Sequence, residues 1–202
     1  ETTELIFRPM LVPPVPHTME RSGGYLTPYL RKEVVHRFLS NYYGEERREQ
    51  KFSEPSPLVL EGLNAMGNTE WAINHKVLEV MTNMFKSNTR LGNLPAYDFS
   101  GFEFQEEYPS EGSKEEQAKW CQRKEESWSE WFKGEQKRAR MLVRLDLAYQ
   151  LEKEDFFYMP YTLDFRGRGY GTCELLCCQG SDFDLSLIQF AEAVEQTEEG
   201  MF

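Results

Sequence analysis

The chain has 202 residues, 40% of them hydrophobic and 14% aromatic, with a formal net charge of −11. That apolar content excludes a disordered tail and is enough to bury a core. The sequence holds no apolar run of membrane-spanning length and no signal peptide, and strong overall acidity argues at first against a nucleic-acid partner. The charge is blocked, however. Residues 98–130 carry ten acids against Lys114, Lys119, Arg123 and Lys124, and residues 182–202 carry six acids and no base, which leaves the remainder close to neutral.

Taken in chain order, residues 1–28 read as extended, because Pro9, Pro13, Pro14 and Pro16 cannot sit inside a helix, and Gly23-Gly24 permits a tight turn. Residues 29–43 fit a short amphipathic helix with Leu30, Val34, Val35, Phe38 and Leu39 apolar. Residues 44–57 are charged and end in Pro55 and Pro57, a loop pattern. Residues 58–86 read as helical, with Asn68-Thr69 as a helix start. Ile73, Val77, Val80, Met81 and Met84 then form a core-facing stripe, and Asn74, His75 and Lys76 lie opposite.

Residues 87–113, rich in Asn, Gly, Pro and Ser, read as a long loop. Residues 114–153 are helical again, with a kink or turn near Gly134. Lys133, Lys137, Arg138, Arg140 and Arg144 make this the most basic stretch, and steps of three and four put several on one side. A solvated face fits that spacing as well as a binding face does. Residues 156–180 give a short strand, turns and a second strand. Ser181 with Asp182 and Asp184 starts a last helix, whose buried side would be Leu185, Ile188 and Ala191. The fold class expected is mainly α with a short β element near the C-terminus.

Cys121, Cys173, Cys177 and Cys178 fit reduced thiols better than a disulfide framework. A zinc site would need paired ligand sets that CxxxCC alone does not supply, and His17, His36 and His75 are too scattered to complete one.

The segment Tyr158-Met159-Pro160-Tyr161-Thr162-Leu163-Asp164-Phe165-Arg166-Gly167-Arg168-Gly169-Tyr170, followed by Gln179-Gly180-Ser181-Asp182, carries the most chemistry. Two arginines offer planar, permanently charged forks that suit phosphates. Gly167 lets the backbone approach another surface, and Asp164 can hold one arginine. Gln179 and the Gly180–Ser181 backbone offer uncharged donors near a helix start. These features fit an anion or nucleic-acid site; a structural Asp–Arg pair beside a turn fits nearly as well.

The whole string resembles the DxxGR motif of the single-subunit (bacteriophage and mitochondrial-type) DNA-directed RNA polymerases, PY-x-x-D-[WF]-RGR-x-Y followed by QG-[SN]-D. Arg8-Pro9-Met10-Leu11-Val12-Pro13-Pro14 with Gly23-Gly24-Tyr25 resembles that family's PM-x-x-PP…GGY segment. Asn68-Thr69-Glu70-Trp71-Ala72-Ile73-Asn74-His75-Lys76-Val77-Leu78 resembles its NT-x-W-x-IN-x-x-VL helix.

The resemblance implies an incomplete right-hand fold: residues 1–86 as an N-terminal segment with packing helices, 87–155 as a thumb-like helical region, and 156–202 as the motif and start of the palm. It implies that Arg166 and Arg168 hold template or hybrid backbone, with Asp164 orienting them. Gly167, Gln179, Gly180 and Ser181 would line the same channel. Lys137 and Arg138 would touch the hybrid from the thumb, and Asn74 and Lys76 are further candidates.

The family's two metal-binding aspartates and its fingers helix follow the DxxGR segment, so the resemblance implies no catalytic and no metal-ligating residue here. Magnesium would be bound by a partner chain carrying palm and fingers. A fragment, an incomplete chain or a split polymerase all fit. The split is expected, because heterodimeric members occur in some podophages. The partners expected are then that second subunit, the DNA template, the RNA product and a single-stranded-DNA-binding factor, with no membrane, in the cytoplasm of an infected bacterium. A non-catalytic nucleic-acid-binding regulator with a polymerase-like thumb is the alternative. A stand-alone phosphate-ester enzyme would need metal carboxylates or an activated nucleophile of its own.

Overall fold

The computed structural model describes residues 7–31, 35–36, 55–89, 91–98, 100–164 and 167–193. The elements are β1 (Val35–His36), α1 (Pro57–Gly67), β2 (Trp71–Ile73), α2 (His75–Lys86), α3 (Lys114–Leu151), β3 (Tyr161–Asp164), β4 (Gly169–Gly171), α4 (Asp182–Leu187) and β5 (Ile188–Phe190). The fold is therefore mixed α/β rather than mainly α with β only near the C-terminus. Strand pairing reaches back into the first half of the chain.

The chain divides into two compact units, one of Glu1–His75 with Ala148–Phe202 and one of Lys76–Leu147. In the first, β1 runs parallel to β3 and β3 antiparallel to β4, with Leu163 opposite both Val35 and Gly169. A second sheet pairs β2 with β5, Ile73 opposite Ile188. Isolated bridges join Met10 to Tyr158 and Trp71 to Phe157. The three stretches that resemble the polymerase family are thus hydrogen-bonded to one another.

Several expectations for the first half are corrected. Val35 and His36 belong to a strand, not to a helix over 29–43; residues 37–43 lie outside the described residues. Asn68 ends α1 instead of starting a helix, its N–H donating to Asn64 O at 2.9 Å. Trp71–Ile73 is a strand because β5 supplies its ladder partners, a tertiary gain that overrides local periodicity. In α2 the buried line is Leu78, Thr82 and Phe85. Ile73 is buried on β2, whereas Val80 is 56% exposed. α2 ends with Asn88 in the left-handed region (φ 55°) and Thr89 N–H on Met84 O, the wrapped ending that an asparagine tolerates.

α3 runs unbroken through Gly134 for 38 residues, about 57 Å at 1.5 Å per residue. It starts at a reciprocal cap. Ser113 N–H and Oγ donate to Glu116 Oε2, and Glu116 N–H donates to Ser113 Oγ. The segment before it lies along the helix, with Trp120 Nε1 donating to Glu106 O and Trp131 Nε1 to Ser100 O. The loop read over 87–113 is thereby strapped down.

His17 joins three parts of the first unit. Its ring Nε2 lies 2.9 Å from Tyr161 O and its Nδ1 accepts from Gly23 N–H at 2.9 Å. Its backbone exchanges two hydrogen bonds with the Asn64 side chain on α1. Nδ1 must be unprotonated to accept, and burial holds the ring's pKa below its usual 6.5. An unfolded chain then takes the proton first, so stability is full above about pH 6.5 and falls as pH drops below it. The urea midpoint is expected to fall between pH 7.5 and 5.5, and to fall less in His17→Gln. An equal fall in both proteins would sink the assignment.

Candidate nucleic-acid interface

The DxxGR hairpin is β3, its connection and β4. All four β3 residues are buried. Beneath the hairpin, α1 supplies Leu60 and Leu63, and a side chain at Gly169 would meet Met66 Cε at 3.1 Å. The connection returns through Gly167, whose φ of 79° favours glycine and whose N–H donates to Asp164 O. Phe165 and Arg166 lie outside the described residues.

Asp164 organises the hairpin. Its Oδ1 accepts from Arg168 N–H at 3.0 Å, and its Oδ2 accepts from Arg168 Nε and Nη2, both at 3.0 Å. Its own N–H donates to Arg168 O. The Asp164 side chain is 5% exposed and that of Arg168 52%. Charge-assisted bonds to Asp164 push the Arg168 pKa further up. The guanidinium also lies 5.5 Å from the Tyr170 ring centroid. Arg168 is thus a permanent cation held by a buried anion, with about half of its side chain open to solvent.

Gln179, Gly180 and Ser181 make hydrogen bonds within the chain. β4 is an edge strand, and the Gln179 amide covers that edge: Oε1 accepts from Gly171 N–H at 2.8 Å and Nε2 donates to Gly169 O at 3.0 Å. Gly180 N–H donates to Cys177 O, and a side chain there would come within 2.8 Å of Asp184 Oδ2. Ser181 is the N-cap of α4, in a full capping box with Asp184. The donors read as open to a phosphate are spent within the chain. They hold the hairpin's shape.

α4 starts where the sequence places it, but its buried residues are Asp184 and Leu187, and Leu185 is 44% exposed. Ile188 is buried on β5, and Ala191 N–H donates to Glu70 O.

The other candidates are on other elements. Asn74 N–H donates to Leu187 O. Lys76 is exposed in the first turn of α2. On α3, Lys137 is exposed, but Arg138 Nε donates to Glu135 at 2.8 Å and both of those side chains are largely covered. Lys133 and Arg140 are exposed on the same helix.

Sequence reasoning missed the sulfur layer under the hairpin. Cys178 Sγ lies 2.7 Å from the Tyr161 hydroxyl, and none of the four cysteines is in a disulfide. A hydrogen bond from Cys177 draws Cys178 down to about 6, against burial and with help from Tyr161. The same bond and burial push Cys177 up. The CxxxCC spacing was the available signal.

The chain is 30% identical over 198 residues to DNA-directed RNA polymerase 2, chloroplastic/mitochondrial, of Nicotiana sylvestris, a match covering 96% of this chain and 18% of that protein. It is 31% identical over 188 residues to DNA-directed RNA polymerase 1B, mitochondrial, of Nicotiana tabacum (92% and 18%). It is 29% identical over 202 residues to the mitochondrial DNA-directed RNA polymerase of Neurospora crassa (96% and 13%).

The chain is homologous to a stretch of the single-subunit, phage-type RNA polymerases.

No family model matches it. The chain spans about 18% of the length of the first plant polymerases it matches. The relatives named are organellar polymerases, so the phage source and bacterial host expected from the sequence find no support in them. Among the described residues, no helix is long and apolar enough to cross a membrane.

Among the described residues, the magnesium that polymerase chemistry implies has no matching ligand set. Asp164 is engaged with Arg168 and Asp184 with Ser181 and Leu176 N–H. Among the described residues, no group of three or more His, Cys, Asp or Glu side chains could hold a metal ion.

Proposed function

We propose that this chain is the part of a DNA-directed RNA polymerase that holds the DNA template and the RNA–DNA hybrid. Nucleotidyl transfer is then the work of palm and fingers on a partner chain, which also bind the magnesium. The observation that supports this most is Arg168, a fixed-charge fork aimed by the buried Asp164 and half open to solvent. Exposure spares the guanidinium its own desolvation whatever role the pair has. A phosphate is met at little ordering cost by a guanidinium already held in place. The exposed Lys133, Lys137 and Arg140 on α3 offer further backbone contacts.

The experiment combines this chain with the product of the adjoining reading frame and measures RNA synthesis on single-stranded template with magnesium and four nucleoside triphosphates. RNA made only when both are present supports the division of labour. RNA made by this chain alone overturns it. Template binding with no contribution to synthesis favours the regulatory alternative. Within the same assay, Arg168→Ala is expected to lower the salt slope of template binding by about one unit. An unchanged slope with full activity removes Arg168 from the interface.

A further inference from the structure

Template holding makes no use of the sulfur groups beneath the hairpin. Leu176, Cys177 and Cys178 lead into a turn closed by Gly180 N–H on Cys177 O at 2.8 Å, with Leu176 in the left-handed region at φ 52°. Cys178 and Gln179 are the two central residues of that turn. Cys178 is partly exposed; Cys177 and Cys173 are buried. The Tyr161 hydroxyl lies 2.7 Å from the Cys178 sulfur, and a hydrogen bond from Cys177 helps to draw that thiol's pKa down. Burial and the bond to Cys178 push the Tyr161 pKa up.

A reachable sulfur beside a phenol, with a second thiol on the preceding residue, is the arrangement of a reactive cysteine and its resolving partner. We propose that Cys178 is a hydroperoxide-reactive thiol and that Cys177 resolves it to a vicinal disulfide. The Cys178 thiolate attacks one peroxide oxygen and the O–O bond breaks, giving a sulfenic acid and hydroxide. The Cys177 sulfur then attacks the Cys178 sulfur, its proton leaves with the departing hydroxyl as water, and the S–S bond forms. Two thiols lose two electrons in total and one peroxide gains them.

The reaction bears on the hairpin through geometry. Neighbouring α-carbons are about 3.8 Å apart across a trans peptide, below the usual range of roughly 4.4–6.8 Å for a disulfide. Closing the bond therefore twists the Cys177–Cys178 peptide and with it the turn that carries Gln179. Cys177 Sγ already lies where a Gly171 side chain would be, within 2.6 Å of it. Oxidation is expected to draw the Gln179 amide off Gly169 and Gly171, and so to loosen the strand that follows Arg168. Strained disulfides of this kind are readily reduced, which makes the modification reversible.

The test uses the full reduced chain and hydrogen peroxide at pH 7, with quenching by N-ethylmaleimide and peptide mapping by mass. The expected product is a peptide carrying Cys177 and Cys178 that has lost two hydrogens, with Cys121, exposed on α3, still reduced. Cys177→Ser should stop at a dimedone-trappable sulfenic acid on Cys178, and Cys178→Ser should abolish both products. Oxidation of Cys121 ahead of the pair, or unchanged oxidation in Cys178→Ser, would overturn the proposal. Competition for limiting iodoacetamide at pH 6.5 needs no variant. Cys178 should be alkylated about tenfold faster than Cys121, and Cys121 reacting first would overturn the assignment. Both readouts report thiol chemistry, so they stand or fall separately from template holding.

Discussion

Replacing Asp164 with alanine is expected to cost about 3 kcal/mol of stability and to abolish tight template binding together. Two of the three bonds its carboxylate accepts from Arg168 are made by the guanidinium, and a bond to a charged group is worth roughly 1.5–3 kcal/mol. The variant leaves Arg168 N–H without that acceptor in a hairpin whose adjoining strand is wholly buried. Arg168→Ala separates the two effects. Its side chain is about half exposed, so the solvent-screened ion pair alone contributes little to stability. It should fold nearly as well as the parent and still bind template weakly. Chemical denaturation and template binding, measured on both variants, decide the matter. If Asp164→Ala melts like the parent, the carboxylate does not organise the hairpin. If Arg168→Ala binds like the parent, the exposed fork does not meet phosphate.

Gly23→Ala is expected to cost about 3 kcal/mol or more, for a different reason. A β-carbon there would lie 2.0 Å from Val15 O, 2.5 Å from Pro16 C and 2.6 Å from His17 N. All three are backbone atoms, so no side chain can swing aside, and overpacking of this kind costs roughly 1–3 kcal/mol even where neighbours can adjust. The same shift would pull Gly23 N–H from His17 and disturb the bond from that ring to Tyr161. A drop in melting temperature of about 10 °C should follow. Gly62→Ala is the contrast. It lies within α1 with nothing within 4 Å of the added carbon, and alanine there should raise stability by up to about 1 kcal/mol. If the two substitutions behave alike, crowding against the Val15–His17 backbone is not what Gly23 relieves.

The parts of the fold legible in the sequence were those fixed by local chemistry. The hairpin was read from the alternation of β-forming residues and glycines, and α4 from Ser181 with acids just after it. α3 was read from its length and charge mixture. The misreadings have a common origin in partners distant along the chain. Trp71–Ile73 has helix-compatible spacing, and only β5, more than a hundred residues later, makes it a strand. Asn68 carries a capping side chain, but such a residue does not say which end of a helix it closes. The buried line of α2 includes Thr82, a polar residue that an apolar stripe passes over.

The site was legible to the same degree. Asp164 and Arg168 lie close in sequence and on facing strand ends, so their pairing could be anticipated. That Gln179 would cover the edge of β4 depends on where the following turn folds back, which no spacing rule gives. The loss of Arg138 to Glu135 was visible as a three-residue step between opposite charges.

The first unit is assembled from the two ends of the chain, and this bears on the order of folding. Residues 76–147 close through neighbours nearby in sequence, so they can fold while the ribosome is still extending the chain. The sheets of the first unit cannot. His17 must wait for Tyr161, 144 residues later, and β2 must wait for β5. Contacts of such high order form slowly, because the loop they close is long. During that interval the Pro-rich arm and the apolar side of α1 stand without their strands. That nascent state is the one expected to need chaperone protection, and to be lost first when synthesis is interrupted between Leu147 and Phe190.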